Sequence, residues 1–146
     1  MILHISITDL EALRRHAEQA YPNECCGVLA GKNVVGERHV LRIVSCRNIR
    51  AGDAHNRFEI DPAELVRVQR ESRESAMDIV GFYHSHPDHP PRPSSTDLEH
   101  AHWIGCSYVI ISVEHGKAAE TRSFLLKGTK EEDKSFADED LSVDHA

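Results

Sequence analysis

The chain has no long apolar run, so none of its segments is read as a span across a bilayer. It has no excess of basic residues: 17 Lys and Arg stand against 24 Asp and Glu, a net charge of −7. A nucleic-acid binder needs a basic face to neutralise phosphates, and adhesion to anionic lipid needs the same, so both classes are disfavoured. The opening residues Met1-Ile2-Leu3-His4-Ile5 show no basic segment followed by an apolar block. A signal peptide is therefore not expected, and a cytoplasmic protein is. The four cysteines, Cys25, Cys26, Cys46 and Cys106, form no C-x-x-C pair. That argues against a structural zinc site of the cysteine type and predicts reduced thiols. No internal repeat is present.

What remains is a chain of 146 residues, 40% of them apolar, enough for one domain with a single core. Ile2, Ile5 and Ile7 suggest a first strand. Thr8-Asp9-Leu10-Glu11 reads as a capping box, with Leu10, Leu13 and Ala17 at helical spacing behind it and Tyr21-Pro22-Asn23 as the stop. Residues 26–31 read as a buried strand, Gly31-Lys32-Asn33 as a turn, Val34-Val35 as the start of another strand, and 40–44 as a further one. A polar loop over 47–57 and a short strand at 58–60 precede a helix start at Asp61-Pro62-Ala63-Glu64, with Asp61 as cap and Pro62 in the first helical position. Strands are expected over 79–85, 108–111 and 122–126, and residues 127–146 read as an acidic, flexible tail. Mixed strands and helices predict an α/β or α+β fold, helices on a sheet, with α/β preferred.

The stretch Tyr83-His84-Ser85-His86-Pro87 carries the chemistry. Residues two apart on a strand face the same side, so His84 and His86 can reach one ion. Four prolines crowd residues 87–93, and a helix is expected after Ser94, with Asp97 in its first turn. Two histidines and a carboxylate, with a fourth position left for water, is the pattern of a catalytic zinc site. The same residues also read as surface histidines followed by a plain helix start, with Ser94 as cap and Asp97 favoured by the helix dipole. His89, His100, His102 and Trp103 read as exposed or packing residues, Cys25 and Cys26 as buried strand residues, and Glu24 as a loop carboxylate.

The segment His84-Ser85-His86-Pro87, six residues, Ser94, two residues, Asp97 resembles without a gap the motif of the JAMM (MPN+) metalloproteases. The stretch Asn23-Glu24-Cys25-Cys26-Gly27 resembles the family's upstream glutamate before an apolar strand. The likeness covers roughly residues 1–126 and implies a single-domain core with a curved sheet flanked by helices, similar to cytidine deaminases. It implies one Zn2+ held by His84, His86 and Asp97, Glu24 as general base and then acid, and Ser94 as donor to the developing oxyanion. A deaminase itself is disfavoured, because the H-x-E and P-C-x-x-C signature is missing.

The chain is too short for the insertions with which larger relatives grip two ubiquitins. It looks more like small prokaryotic members, and these imply a ubiquitin-like sulphur carrier as partner. The expected reaction is hydrolysis of the amide after the carrier's C-terminal Gly-Gly. The alternatives are an isopeptidase that frees such a modifier from lysine, and a non-catalytic scaffold. A Gly-Gly tail is slim and can add as a strand beside a sheet edge.

Overall fold

The computed structural model describes residues 1–145. Seven strands and three helices follow in the order β1 (Ile2–Ser6), α1 (Ile7–Ala20), β2 (Cys26–Val34), β3 (Glu37–Cys46), α2 (Pro62–Glu74), β4 (Asp78–Pro87), α3 (Ser95–His100), β5 (Ser107–Glu114), β6 (Lys117–Lys127) and β7 (Ser135–Asp144). The strands are ordered β1-β3-β2-β4-β5-β6-β7, and β7 pairs back to β1, so the sheet curves until it closes. β1 runs parallel to β3 and β7, and β4 parallel to β5; the other neighbours are antiparallel. This is the expected α/β class, a single domain of mixed sheet and helices. No helix among the described residues is long and apolar enough to cross a membrane.

Helix starts follow local chemistry. Ser6 sits in extended backbone and its hydroxyl oxygen accepts the Asp9 amide at 3.1 Å. The cap of α1 is thus two residues ahead of the Thr8 box, because β1 runs straight into the helix. Asp61 caps α2 as expected, accepting the Ala63 amide at 3.0 Å, with Pro62 opening the helix. Leu13 and Ala17 of α1 pack with Leu3, Ile5, Leu29, Tyr83, Val109 and Ile111 in one apolar cluster. Val68 of α2 packs with Cys26, Val28, Phe82, Tyr108 and Leu126 in a second.

Three local expectations differ from the structure. Gly31 lies inside β2, not in a turn: a Cβ there would stand 1.8 Å from the His39 carbonyl oxygen, so the glycine serves close backbone approach at a bulge. The turn falls at Val35-Gly36, both at positive φ, as a two-residue hairpin requires. Residues 58–60 form no strand, only a bridge between Ile60 and Asn48.

The largest difference is at the C-terminus. The flexible tail expected over 127–146 contains β7, which pairs with β6 through Ser135–Glu139 and with β1 through Asp140–Asp144. Its large apolar residues reach the core: Phe136 packs against one cluster, and Leu141 and Val143 against the other. Glu139 is buried and pairs with buried Arg38, which also donates Nε–H to Ser107 Oγ at 2.8 Å. Average composition hides a strand whose Asp138, Asp140 and Asp144 are exposed while Glu139 turns inward. Closure also bears on strand addition. No strand of the described residues keeps a full free edge, although parts of several, among them β3, β6 and β7, lack a second neighbour.

Candidate metal centre

β4 lies between β2 and β5, buried from Val80 to Pro87, and its alternation sends Phe82, His84 and His86 to one side. The proline-rich loop then turns the chain back, and Ser94 caps α3. Asp97, in the first turn, meets both histidines. His84 Nε2 and His86 Nε2 are 3.1 Å apart, and Asp97 Oδ2 stands 3.3 Å from the first and 3.1 Å from the second. Ligand atoms about 2.0–2.2 Å from one metal sit roughly 3.3–3.5 Å apart in a tetrahedron. The triangle agrees with that edge within a few tenths of an ångström. No other group of three or more His, Cys, Asp or Glu among the described residues gathers its ligand atoms in this way.

The outer hydrogen bond of His86 favours a cation in the middle. Pro90's carbonyl can only accept, so His86 Nδ1 donates to it at 2.8 Å and the neutral ring turns the Nε2 lone pair inward. Such an outer hydrogen bond is the usual support of a ligating histidine. His84 is fully buried, its ring stacked on Phe58 at 4.6 Å, and its Nδ1 bonds to nothing among the described residues. Burial lowers the His84 pKa. Burial opposes charge on His86 as well, but Asp97 and the Pro90 carbonyl outweigh it and raise that pKa. Burial works to raise Asp97, yet the two histidines and the Ser94 amide hold its carboxyl far below the usual range. Two inward nitrogens and an ionised carboxylate at this spacing fit a divalent metal, which all three groups suit.

Glu24 lies between α1 and β2 and is 6% exposed. Its Oε1 is buried and has no partner among the described residues. Desolvation pushes its pKa up to about 8, with His86 pulling down and Asp97 pushing up. A carboxyl poised near neutrality beside a candidate metal site is suited to proton transfer. Ser94 is exposed, and its hydroxyl oxygen accepts the Asp97 amide at 3.0 Å, which leaves the hydroxyl proton for another acceptor.

A family model described as prokaryotic homologs of the JAB domain matches residues 8–127. The chain belongs to this family. Among curated relatives, a desampylase of Haloferax volcanii is 42% identical over 91 residues, 62% of this chain and 63% of that protein. The chain thus spans under two thirds of that relative's length. A probable TtuB-protein conjugate cleaving protease of Thermus thermophilus is 28% identical over 86% of this chain and 77% of its own. A CysO-cysteine peptidase of Mycobacterium tuberculosis is 30% identical over 86% of this chain and 83% of its own. Of solved structures, protein DSY2949 from Desulfitobacterium hafniense superposes with a TM-score of 0.83 at 31% identity, covering 99% of this chain and 94% of that one. AF2198 of Archaeoglobus fulgidus, a JAB1/MPN domain protein, shares the fold at a TM-score of 0.58 and 18% identity, covering 95% and 96%.

None of the remaining candidates of this JAB domain joins the triangle. His89, His100 and His102 are exposed; α3 ends at His100, and His102 faces Glu131 at 3.6 Å. Trp103 packs edge-on against Phe82 at 5.3 Å. All four cysteines are free and buried, and burial pushes Cys25 up to about 11 and Cys46 up to about 12. Neutral thiols of this kind are poor nucleophiles. Phe58 and the Pro90 carbonyl also shape the centre, and neither carries a sequence signal: one is a lone aromatic after a polar loop, the other a backbone atom.

Proposed function

We propose that this JAB domain is a zinc metallopeptidase that cleaves the amide bond after the C-terminal Gly-Gly of a small ubiquitin-like sulphur carrier. The observation that carries the reading is the triangle of His84 Nε2, His86 Nε2 and Asp97 Oδ2 at 3.1–3.3 Å, with a buried, unpartnered Glu24 Oε1 in its company. His84, His86 and Asp97 would hold the zinc. Zinc bound there would supply Lewis acidity toward a water molecule and the scissile carbonyl.

The residues themselves do the rest. Glu24 Oε1 takes the proton of the attacking water and hands it to the leaving amine. Desolvation makes its carboxylate a stronger base than a solvated one. The Ser94 hydroxyl donates to the carbonyl oxygen as charge develops on it. The buried thiols take no part, so no acyl-enzyme forms. The CysO-cysteine peptidase relative supports a peptide bond to a C-terminal residue as the target. A second reading, cleavage of an isopeptide bond to lysine, is supported by the relative named for cleaving TtuB-protein conjugates.

Two substrates test this: a ubiquitin-like carrier extended by cysteine after its Gly-Gly, and the same carrier joined to a lysine side chain. Cutting only the first upholds the peptidase, and cutting the second as well or better upholds the isopeptidase. Cutting neither, from zinc-loaded protein, overturns the substrate. Purification without stoichiometric metal would favour a scaffold.

A further inference from the structure

Asn48 stands just after β3, in a stretch that reads only as a polar loop. Its side chain makes four hydrogen bonds. Nδ2 donates to the carbonyl oxygens of Glu24 at 3.1 Å and Arg57 at 2.9 Å. Oδ1 accepts the amides of Arg50 at 3.0 Å and Glu59 at 3.1 Å. A carboxamide has two donors and two lone pairs, so its capacity is fully used. Ile49 N–H also donates to the Glu59 carbonyl at 3.0 Å, and Asn48 pairs with Ile60. Asn48 therefore ties both ends of the loop over residues 47–60 to each other and to Glu24.

The loop returns the hold. Ala54, at its middle, accepts the Glu24 amide at 2.7 Å. Glu24 belongs to no helix or strand, and these two bonds are its main-chain anchors among the described residues. The same loop carries Phe58, whose ring stacks on His84 at 4.6 Å with the planes 22° apart. One loop thus braces both the candidate base and a candidate ligand, and one side chain sets that loop.

We propose that Asn48 is a positioning residue: by gripping the Glu24 carbonyl it keeps the Glu24 carboxyl in register with the His84–His86–Asp97 centre. This rests on the reading of Glu24 as base. A base works only within hydrogen-bond reach of its proton, and a displacement of about 1 Å costs roughly a hundredfold in rate. The carboxamide is needed for its two chemically different halves. A carboxylate at 48 still accepts from Arg50 and Glu59 but turns lone pairs toward the carbonyls of Glu24 and Arg57.

The test compares Asn48→Asp and Asn48→Ala with wild type, using amide exchange, zinc content and cleavage of the cysteine-extended carrier. In Asn48→Asp the Arg50 and Glu59 amides stay protected while the Glu24 amide exchanges at least about tenfold faster, and in Asn48→Ala all three speed up. In both variants kcat falls about 10- to 100-fold while KM stays within about threefold and zinc stoichiometry holds. Should Asn48→Ala fail to fold, Asn48→Asp, which keeps the acceptor bonds, carries the comparison. An unchanged kcat in Asn48→Asp, or a loss that follows zinc content, overturns the assignment. If wild type cuts neither carrier, the substrate reading falls and exchange alone judges Asn48: faster Glu24 exchange upholds its grip, and unchanged exchange refutes it.

Discussion

Ser94 and Asp97 hold each other by reciprocal hydrogen bonds: the Asp97 amide donates to Ser94 Oγ at 3.0 Å, and the Ser94 amide to Asp97 Oδ2 at 2.9 Å. That same Oδ2 faces both histidine nitrogens. The device that starts α3 therefore also aims the carboxylate, so helix capping and metal-site geometry are one arrangement.

Substitution at Ser94 separates the two roles. Ser94→Ala removes the cap and should cost about 1 kcal/mol of stability, whereas Ser94→Gly should cost only a few tenths. Both remove the hydroxyl, so both should lose about a hundredfold or more in kcat. Denaturation midpoints and steady-state rates on the extended carrier check this. A Ser94→Gly variant with wild-type kcat would remove Ser94 from the reaction.

Glu24 makes a prediction about pH in the metal-free protein. Its folded pKa of about 8 lies above the ordinary value of 4.5, so the folded state binds the extra proton between them. Stability should fall as pH rises through that window and level off above it. Glu24→Gln lacks the ionisation. It should match wild type near pH 4 and exceed it by a few kcal/mol near pH 9. Urea unfolding across pH tests the sign. The same variant, loaded with zinc, should keep its metal and lose cleavage.

Removing the metal or a ligand should act on stability as well as activity. Zinc at about 100 times its dissociation constant stabilises by about 2.7 kcal/mol, roughly 5–10 °C in Tm for a chain of this size. Chelation should reverse that gain in wild type. Asp97→Ala should show neither the gain nor the reversal by thermal melting.

Closure by β7 rests partly on the buried Arg38–Glu139 pair, which Ser123 Oγ also reaches by donating to Glu139 Oε1 at 2.6 Å. Glu139→Ala leaves Arg38 buried without its partner and should cost about 3–5 kcal/mol. Replacing both by apolar residues of similar volume should recover most of the loss. Chemical denaturation of the single and double variants measures the difference.

Much of the centre was legible because its parts are local. A two-residue strand period puts His84 and His86 on one side, and a helix cap puts Asp97 in the first turn after Ser94. Asp61-Pro62 marked α2 for the same kind of reason. Gly31 misled because the same residue type serves a turn and a close strand approach, and the sequence does not say which neighbour comes near. The acidic composition of 127–146 hid β7, since a strand needs only a few inward side chains and Phe136, Leu141 and Val143 supply them.

The sequence by itself determined the α/β class, which depends on short-range periodicity, and its resemblance to the JAMM motif singled out His84, His86, Asp97 and Glu24 as candidates. Only the tertiary structure decided that the last strand closes the sheet, that His86 is oriented by a proline carbonyl, and that Asn48 and Phe58 brace the centre. Those contacts join residues far apart in the chain or use backbone atoms, and no residue's identity announces which distant carbonyl or ring will meet it.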